Sequence, residues 1–206
     1  MRARDKGKHF HKPSSGFSTL ELAVVVTIIV IVAAMAIPIF SSIERNLKGD
    51  GQMQSLRSAL VQAKTRSAAT FSLARLRANI NAQTFQMELW NKTTSQWDTE
   101  PAGGVQNLPG GVTFGYGSIS TPPPNTQTTI NQAAACTDGG GSTIANTACI
   151  IFNSRGIPVD STGTALTTGD AIYITDGAAV RAVTVGRTGL IQGWRRDLTG
   201  STWKGL

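Results

Sequence analysis

Histidine is almost missing from this chain of 206 residues: His9 and His11 are the only two. Beyond the first dozen residues there is no Ser–His or Cys–His couple to activate a nucleophile and no imidazole to ligate zinc. Cysteine is equally scarce, at Cys136 and Cys149, and charged side chains are only 15% of the chain. No GxxxxGK[ST] phosphate loop occurs, and the carboxylates are scattered along the sequence. With these chemistries removed, the chain is expected to be nonenzymatic, with no cofactor and no metal. What remains is 40% hydrophobic residues, enough for a real core, with 22 glycines among many Ser, Thr, Asn and Gln residues. That composition suits strands and turns with polar surfaces, as in an exported protein.

The net charge of +7 is carried by the two ends. Residues 1–16 hold Arg2, Arg4, Lys6, Lys8 and Lys12 against Asp5. Residues 181–206 hold Arg181, Arg187, Arg195, Arg196 and Lys204 against Asp197. The stretch between has nine basic and ten acidic side chains. A charged tail and a charged surface imply different partners, so the two ends are read separately.

After the basic start, Leu22 to Phe40 (LAVVVTIIVIVAAMAIPIF) is apolar except for Thr27 and contains Pro38. About 20 helical residues cross a bilayer core, and the preceding Lys/Arg cluster would stay in the cytoplasm by the positive-inside rule. Three readings fit this segment. It is a plain anchor, or a secretory signal cut at the small-x-small sequence Ala34-Met35-Ala36, or something that requires Glu21. Neither of the first two accounts for a carboxylate at the membrane boundary, where a charge is costly and points to a partner.

The stretch Gly16-Phe17-Ser18-Thr19-Leu20-Glu21 resembles the processing site of type IV prepilins and type II secretion pseudopilins. The resemblance implies a 1–16 leader removed by a prepilin peptidase between Gly16 and Phe17, followed by methylation of the Phe17 amine. It further implies that Glu21 pairs with the amine of a neighbouring subunit in the filament core, and that Pro38 permits a kink or melted turn. Further on, LRSALVQAKTRSA at 56–68, then LPGGVTF, IIFNSRG, VTVGRTG and GWRRDLTGSTW are similar in order to the FimT/GspH family of minor pilins and pseudopilins. The implied partners are other pilins or pseudopilins and the bacterial inner membrane. The chain would cross that membrane once, with its C-terminal domain in the periplasm, before entering a filament.

The expected fold is α+β. Residues 17–40 would form the transmembrane and filament-core helix, 41–70 its amphipathic continuation, and 71–206 a β-rich domain. Met53, Leu56, Leu60, Ala63 and Ser67/Ala68 recur at three- and four-residue steps and predict one packing face. Arg57, Lys64 and Arg66 would lie on or beside the solvated face, and Gly49-Asp50-Gly51 is a weak point between the helical stretches. Thr84–Trp90 alternates as a strand, with a return from Gln96 after a turn at Asn91–Ser95. Strands are also predicted at Val112–Tyr116, Ala148–Phe152, Ala171–Thr175 and Ala179–Val185, the last pair joined at Asp176-Gly177. A mostly antiparallel sheet covered by the long helix follows.

Cys136 and Cys149 flank a glycine-rich stretch on the exported side, which favours a disulfide; two thiols that never meet is the alternative. Asp160-Ser161-Thr162-Gly163 and Gly169-Asp170 read as polar turns, because calcium needs six to eight oxygens and no ligand-spaced loop is present. At the C-terminal end, Arg181, Arg187, Arg195, Arg196 and Lys204 with Trp194 and Trp203 are candidate contacts to DNA. A solvated strand edge with two aromatics covering the sheet is the favoured account of them. The family resemblance implies a GRxR motif for DNA binding, and Gly186-Arg187-Thr188-Gly189 lacks its second arginine.

Overall fold

A computed structural model describes residue 16 and residues 18–101, 103–124 and 126–206; the side chains of 36–39 and 41 are outside that description. It divides into two compact units, Met1–Ser42 and Ile43–Leu206. Helix α1, Thr19–Ala69, contributes residues to both. At its start, the Leu20 N–H donates to Ser18 Oγ and the Leu22 N–H to the Ser18 carbonyl, so Ser18 caps donors that would otherwise lack partners. The helix runs through Pro38 and through Gly49–Gly51.

The second unit explains why Gly49 does not interrupt α1. A Cβ on Gly49 would lie 2.2 Å from Arg181 Nη1, so the missing side chain makes room for a guanidinium packed on the helix. Asp50 binds the same guanidinium. Weak helix formers are thus held by a tertiary contact that overrides local propensity.

On the inward face, Met53, Leu56, Leu60, Ala63 and Ser67 are all at most 1% exposed, and Ala68 is exposed. The helix ends in a paired turn: the Ser72 N–H donates to the Ser67 carbonyl and the Phe71 N–H to the Ala68 carbonyl. Phe71 occupies the left-handed position that such an ending requires (φ 50°), where glycine is usual, and its ring is exposed.

Two antiparallel sheets pack their inner faces around this helical stripe. The first contains β1 (Ala74–Asn79), β2 (Thr84–Asn91), β3 (Gln96–Thr99), β4 (Val105–Asn107), β6 (Thr147–Phe152) and β7 (Pro158–Val159), ordered β3-β2-β1-β6-β7 with β4 also on β2. The second is ordered β11-β10-β9-β8-β5. Its strands are β5 (Thr113–Phe114), β8 (Asp170–Thr175), β9 (Ala179–Val185), β10 (Ile191–Asp197) and β11 (Lys204–Gly205). The expected single sheet is therefore two. Leu76, Phe85, Ile150 and Phe152 from the first sheet and Ile172, Ile174 and Val183 from the second share one core with the helix.

The outer faces are covered by loops. On the first sheet, Arg75 on β1 stands opposite Glu88 on β2 and pairs with it at 2.5 Å, while its guanidinium lies 3.9 Å from the Trp97 ring. Nearby, Cys136 and Cys149 form a disulfide that ties the loop before β6 to that strand. Closing a loop of this length contributes on the order of 3 kcal/mol by the chain-entropy account.

On the outer face of the second sheet, Ile119 and Ile130 pack over Ala171, Tyr173, Val180 and Ala182. Asp170 accepts hydrogen bonds there from the Ala171 N–H and the Gln127 amide. Burial pushes its carboxyl up to about 6, against those hydrogen bonds. Because the folded value is above the ordinary 3.8, the native state holds this proton more tightly than the unfolded chain. The associated stability is complete below about pH 4 and is lost as pH rises through about 6. Asp170→Asn keeps the acceptor without the charge. It is expected to raise stability above pH 6 by at most ~3 kcal/mol, with the gain vanishing near pH 4, as read from urea midpoints at both ends of that range.

Candidate functional site

Two regions carry the functional expectations, one in each unit. In the first, Gly16 is exposed, while residues 1–15 and Phe17, on which the rest of the expected leader and cleavage site falls, lie outside the described residues. Glu21 sits in the first turn of α1, where a carboxylate is favoured by the unpaired N–H groups and the positive end of the helix dipole. It has no partner among the described residues.

Around and beyond it the surface is apolar: Leu20, Leu22, Val24, Val25, Val26 and Ile28 to Val32 are 44–77% exposed. Thr27 returns its hydroxyl to the Ala23 carbonyl at 2.8 Å, so it offers little polarity to a neighbour. A helix that is hydrophobic all round is stable only among lipids or other apolar helices. Among the described residues no helix is long and apolar enough to cross a membrane; the expected 17–40 span includes Phe17 and side chains 36–39, which lie outside them.

In the second unit the structure separates the five basic residues that the sequence groups together. Arg181 is fully buried and cannot reach a phosphate, which corrects its assignment as a DNA contact. It lies on β9 and points at the helix: Nε meets Asp50 Oδ1 at 2.5 Å, Nη1 meets Asp176 Oδ2 at 2.8 Å, and Nη2 donates to the Asn46 carbonyl at 3.2 Å. Burial disfavours the charged guanidinium, but the hydrogen bonds to Asp50 and Asp176 outweigh it and hold the proton more firmly than usual. Burial likewise works against the Asp176 carboxylate, and the Arg181 bond with the Ala179 and Ala178 N–H groups outweighs it, keeping the carboxyl below its usual range.

Arg195, directly across the ladder from Arg181, is drawn into the same cluster through Asn46 Oδ1 at 3.0 Å and Asp197 at 3.0 Å. Arg196 donates to the Gly200 carbonyl and Thr121 Oγ1. Together with Lys204 these two line a depression of about 490 Å³ that also contains Asp197. Arg187 is exposed on a separate turn between β9 and β10. The indoles are likewise engaged. Trp194 donates to Thr184 Oγ1 and Trp203 to the Thr121 carbonyl, and both pack on the sheet.

At Asp160, one carboxylate oxygen accepts from the Thr162 hydroxyl and from the Thr162 and Thr164 N–H groups, closing a polar turn. Asn46 and Asp50 were not expected as partners of the basic residues. An acid flanked by glycines within an otherwise helical stretch was the available signal, since such a position needs an external contact to remain helical.

No family model and no curated protein matches the chain. Among solved structures it is similar to the minor pseudopilin EpsH from the type 2 secretion system of Vibrio cholerae, at 10% identity and a TM-score of 0.37, over 77% of this chain and 96% of that one. At that identity and score, the functional reading rests on the chain's own residues.

Proposed function

We propose that this chain is a nonenzymatic filament subunit, a minor pilin or pseudopilin of a type IV pilus or a type II secretion pseudopilus. The observation that carries the reading is the start of α1: one carboxylate, Glu21, in the first turn of a helix whose following side chains are apolar and exposed on all sides. Such a surface is insoluble alone and self-complementary in a bundle. A lone carboxylate at its end sets register by demanding a cation, which a newly exposed amine at Phe17 of a neighbour supplies.

On this reading a prepilin peptidase cuts after Gly16 and methylates Phe17. Residues 17–40 hold the chain in the inner membrane and then pack in the filament core, and the β-rich unit stands outside it. The test is intact-mass and N-terminal analysis of the full chain produced with and without a prepilin peptidase. The expected product begins at methylated Phe17 only when the peptidase is present. A chain beginning at Ile37 would make it a released secretory protein, and one still beginning at Met1 in both samples would make it an ordinary anchored protein.

A further inference from the structure

The sequence stretches IIFNSRG and VTVGRTG have no role in the assembly helix, yet the fold brings their turns together. The Gly156 N–H closes one turn on the Asn153 carbonyl and the Gly189 N–H closes the other on the Gly186 carbonyl. Both glycines are left-handed, at φ 71° and 78°. The turns touch: a Cβ on Gly189 would lie 2.4 Å from the Gly156 carbonyl oxygen, and one on Gly156 would lie 2.9 Å from Lys64 Cε. Lys64 reaches from α1 into this junction and donates to the Gly189 carbonyl at 2.9 Å.

Beside the junction, α1 and the two turns enclose a groove of about 550 Å³. Its apolar part is Val61, Leu190 and Ile191, of which Val61 and Leu190 are about half exposed, at 48% and 59%. Its charged part is Lys64, Arg57 and Arg155, and no carboxylate lines it. Lys64 has a neutral carbonyl as its only hydrogen-bond partner, and the guanidiniums of Arg57 and Arg155 make no ion pair among the described residues. A half-buried ammonium with unused donors, between two unpaired guanidiniums, is electrostatically incomplete.

We infer that this groove docks an acidic peptide segment of another protein, which lays an apolar side chain against Val61, Leu190 and Ile191 and brings carboxylates to Lys64, Arg57 and Arg155. Charge complementarity selects the sign and the apolar floor selects a peptide over a phosphate backbone, whose recognition needs stackable or polar walls. A second copy of this chain is a poor occupant. Among the described side-chain carboxylates, all but Glu21 on the assembly helix are held by a basic side chain, an amide or a backbone N–H of their own chain. The inference is independent of filament assembly, because every residue in it belongs to the unit Ile43–Leu206.

The test is selection of random short peptides on the immobilised full chain in detergent, repeated on the Arg57→Glu, Arg155→Glu double variant. The wild type should enrich peptides with Glu or Asp flanking Leu, Ile or Phe, binding at least about tenfold more weakly to the double variant, and the variant should turn selection toward basic peptides. Val61→Asn with Leu190→Asn should weaken the acidic peptides to a similar degree without changing their charge preference. Circular dichroism and melting of each variant separate lost binding from lost folding, and a peptide effect is counted only for variants that melt as the wild type does. No acidic enrichment on the wild type, equal binding to the folded charge variant, or full competition by a short oligothymidylate would each overturn the assignment.

Discussion

Arg181→Leu is expected to destabilise the globular unit by about 3–5 kcal/mol, the cost of leaving a buried ionic partner alone. The magnitude is set by Asp176, whose side chain is 1% exposed, far more than by Asp50, which at 41% can recover water. Removing the cation leaves a carboxylate inside the protein with only the N–H groups of Ala178 and Ala179 to hold it. It also removes the group that bridges β9 to the Asn46–Asp50 stretch of α1.

Because domains of this kind are stable by only about 5–15 kcal/mol in total, the variant should show a large drop in urea midpoint. The pH dependence gives the cause. In the wild type the Asp176 carboxyl is held below its usual range, so its stabilisation is present above the ordinary carboxylate range and lost as pH falls. In Arg181→Leu the sign reverses: an unpaired buried carboxyl titrates high, and lowering the pH should recover stability. Adding Asp176→Asn to the variant should recover part of the loss at neutral pH. A loss below about 1 kcal/mol, in the range of an exposed ion pair, would show that the network contributes little.

If the chain is the filament subunit proposed above, Glu21→Ala is expected to leave cleavage after Gly16 intact while lowering recovery of the chain in sheared filaments by about tenfold or more, equivalent to ~1.4 kcal/mol of preference per insertion. The substitution preserves helix propensity and adds to the apolar surface, so a defect in assembly cannot be assigned to loss of the helix or of membrane affinity. Glu21→Gln separates charge from hydrogen bonding, since it keeps the length and loses the anion. If Glu21→Ala enters filaments at the wild-type level, the carboxylate has no part in subunit register. If cleavage fails as well, the residue serves the peptidase instead.

The parts of the fold that could be read from sequence are those in which period and composition agree. The three-four stripe from Met53 to Ser67 is buried as its spacing requires, and Thr84–Trp90, Ala148–Phe152 and Ala179–Val185 lie in strands close to the expected limits. β1 went unnoticed because its inward positions are Ala74, Leu76 and Ala78 and its outward ones are Arg75, Arg77 and Asn79, few of which favour strands by propensity. Only pairing with β2 and β6 on both sides makes it the centre of a sheet.

β10 was hidden by its own charge. Arg195 and Arg196 with Gly193 resemble a basic tail, but Gly193 faces Met53, where a Cβ would come within 3.2 Å of its sulfur. In the C-terminal cluster of positive charge the reading failed at Arg181, which is buried, since proximity in sequence says nothing about which arginine faces a helix and which faces water. The groove at Lys64 could not be read at all, because Lys64, Arg155 and Leu190 converge only through two turns that are distant in sequence.

The strand order also bears on how the β-rich unit can mature. In the second sheet β8, β9 and β10 each pair with the strand that follows through a short turn, so each closure is local. In the first sheet β1 cannot find its inner neighbour until β6 exists, with Asn79 joining Thr147 and Ala74 joining Phe152. A chain emerging from its amino end therefore presents β1 and β2 as an unfinished edge while the intervening loops arrive. Such an interval is long on the scale of hairpin formation. During it the unpaired side of β1 is open to any other extended chain, and Cys136 has no partner until Cys149 arrives with β6. Until β6 arrives, that open edge is the part of the fold most exposed to mispairing.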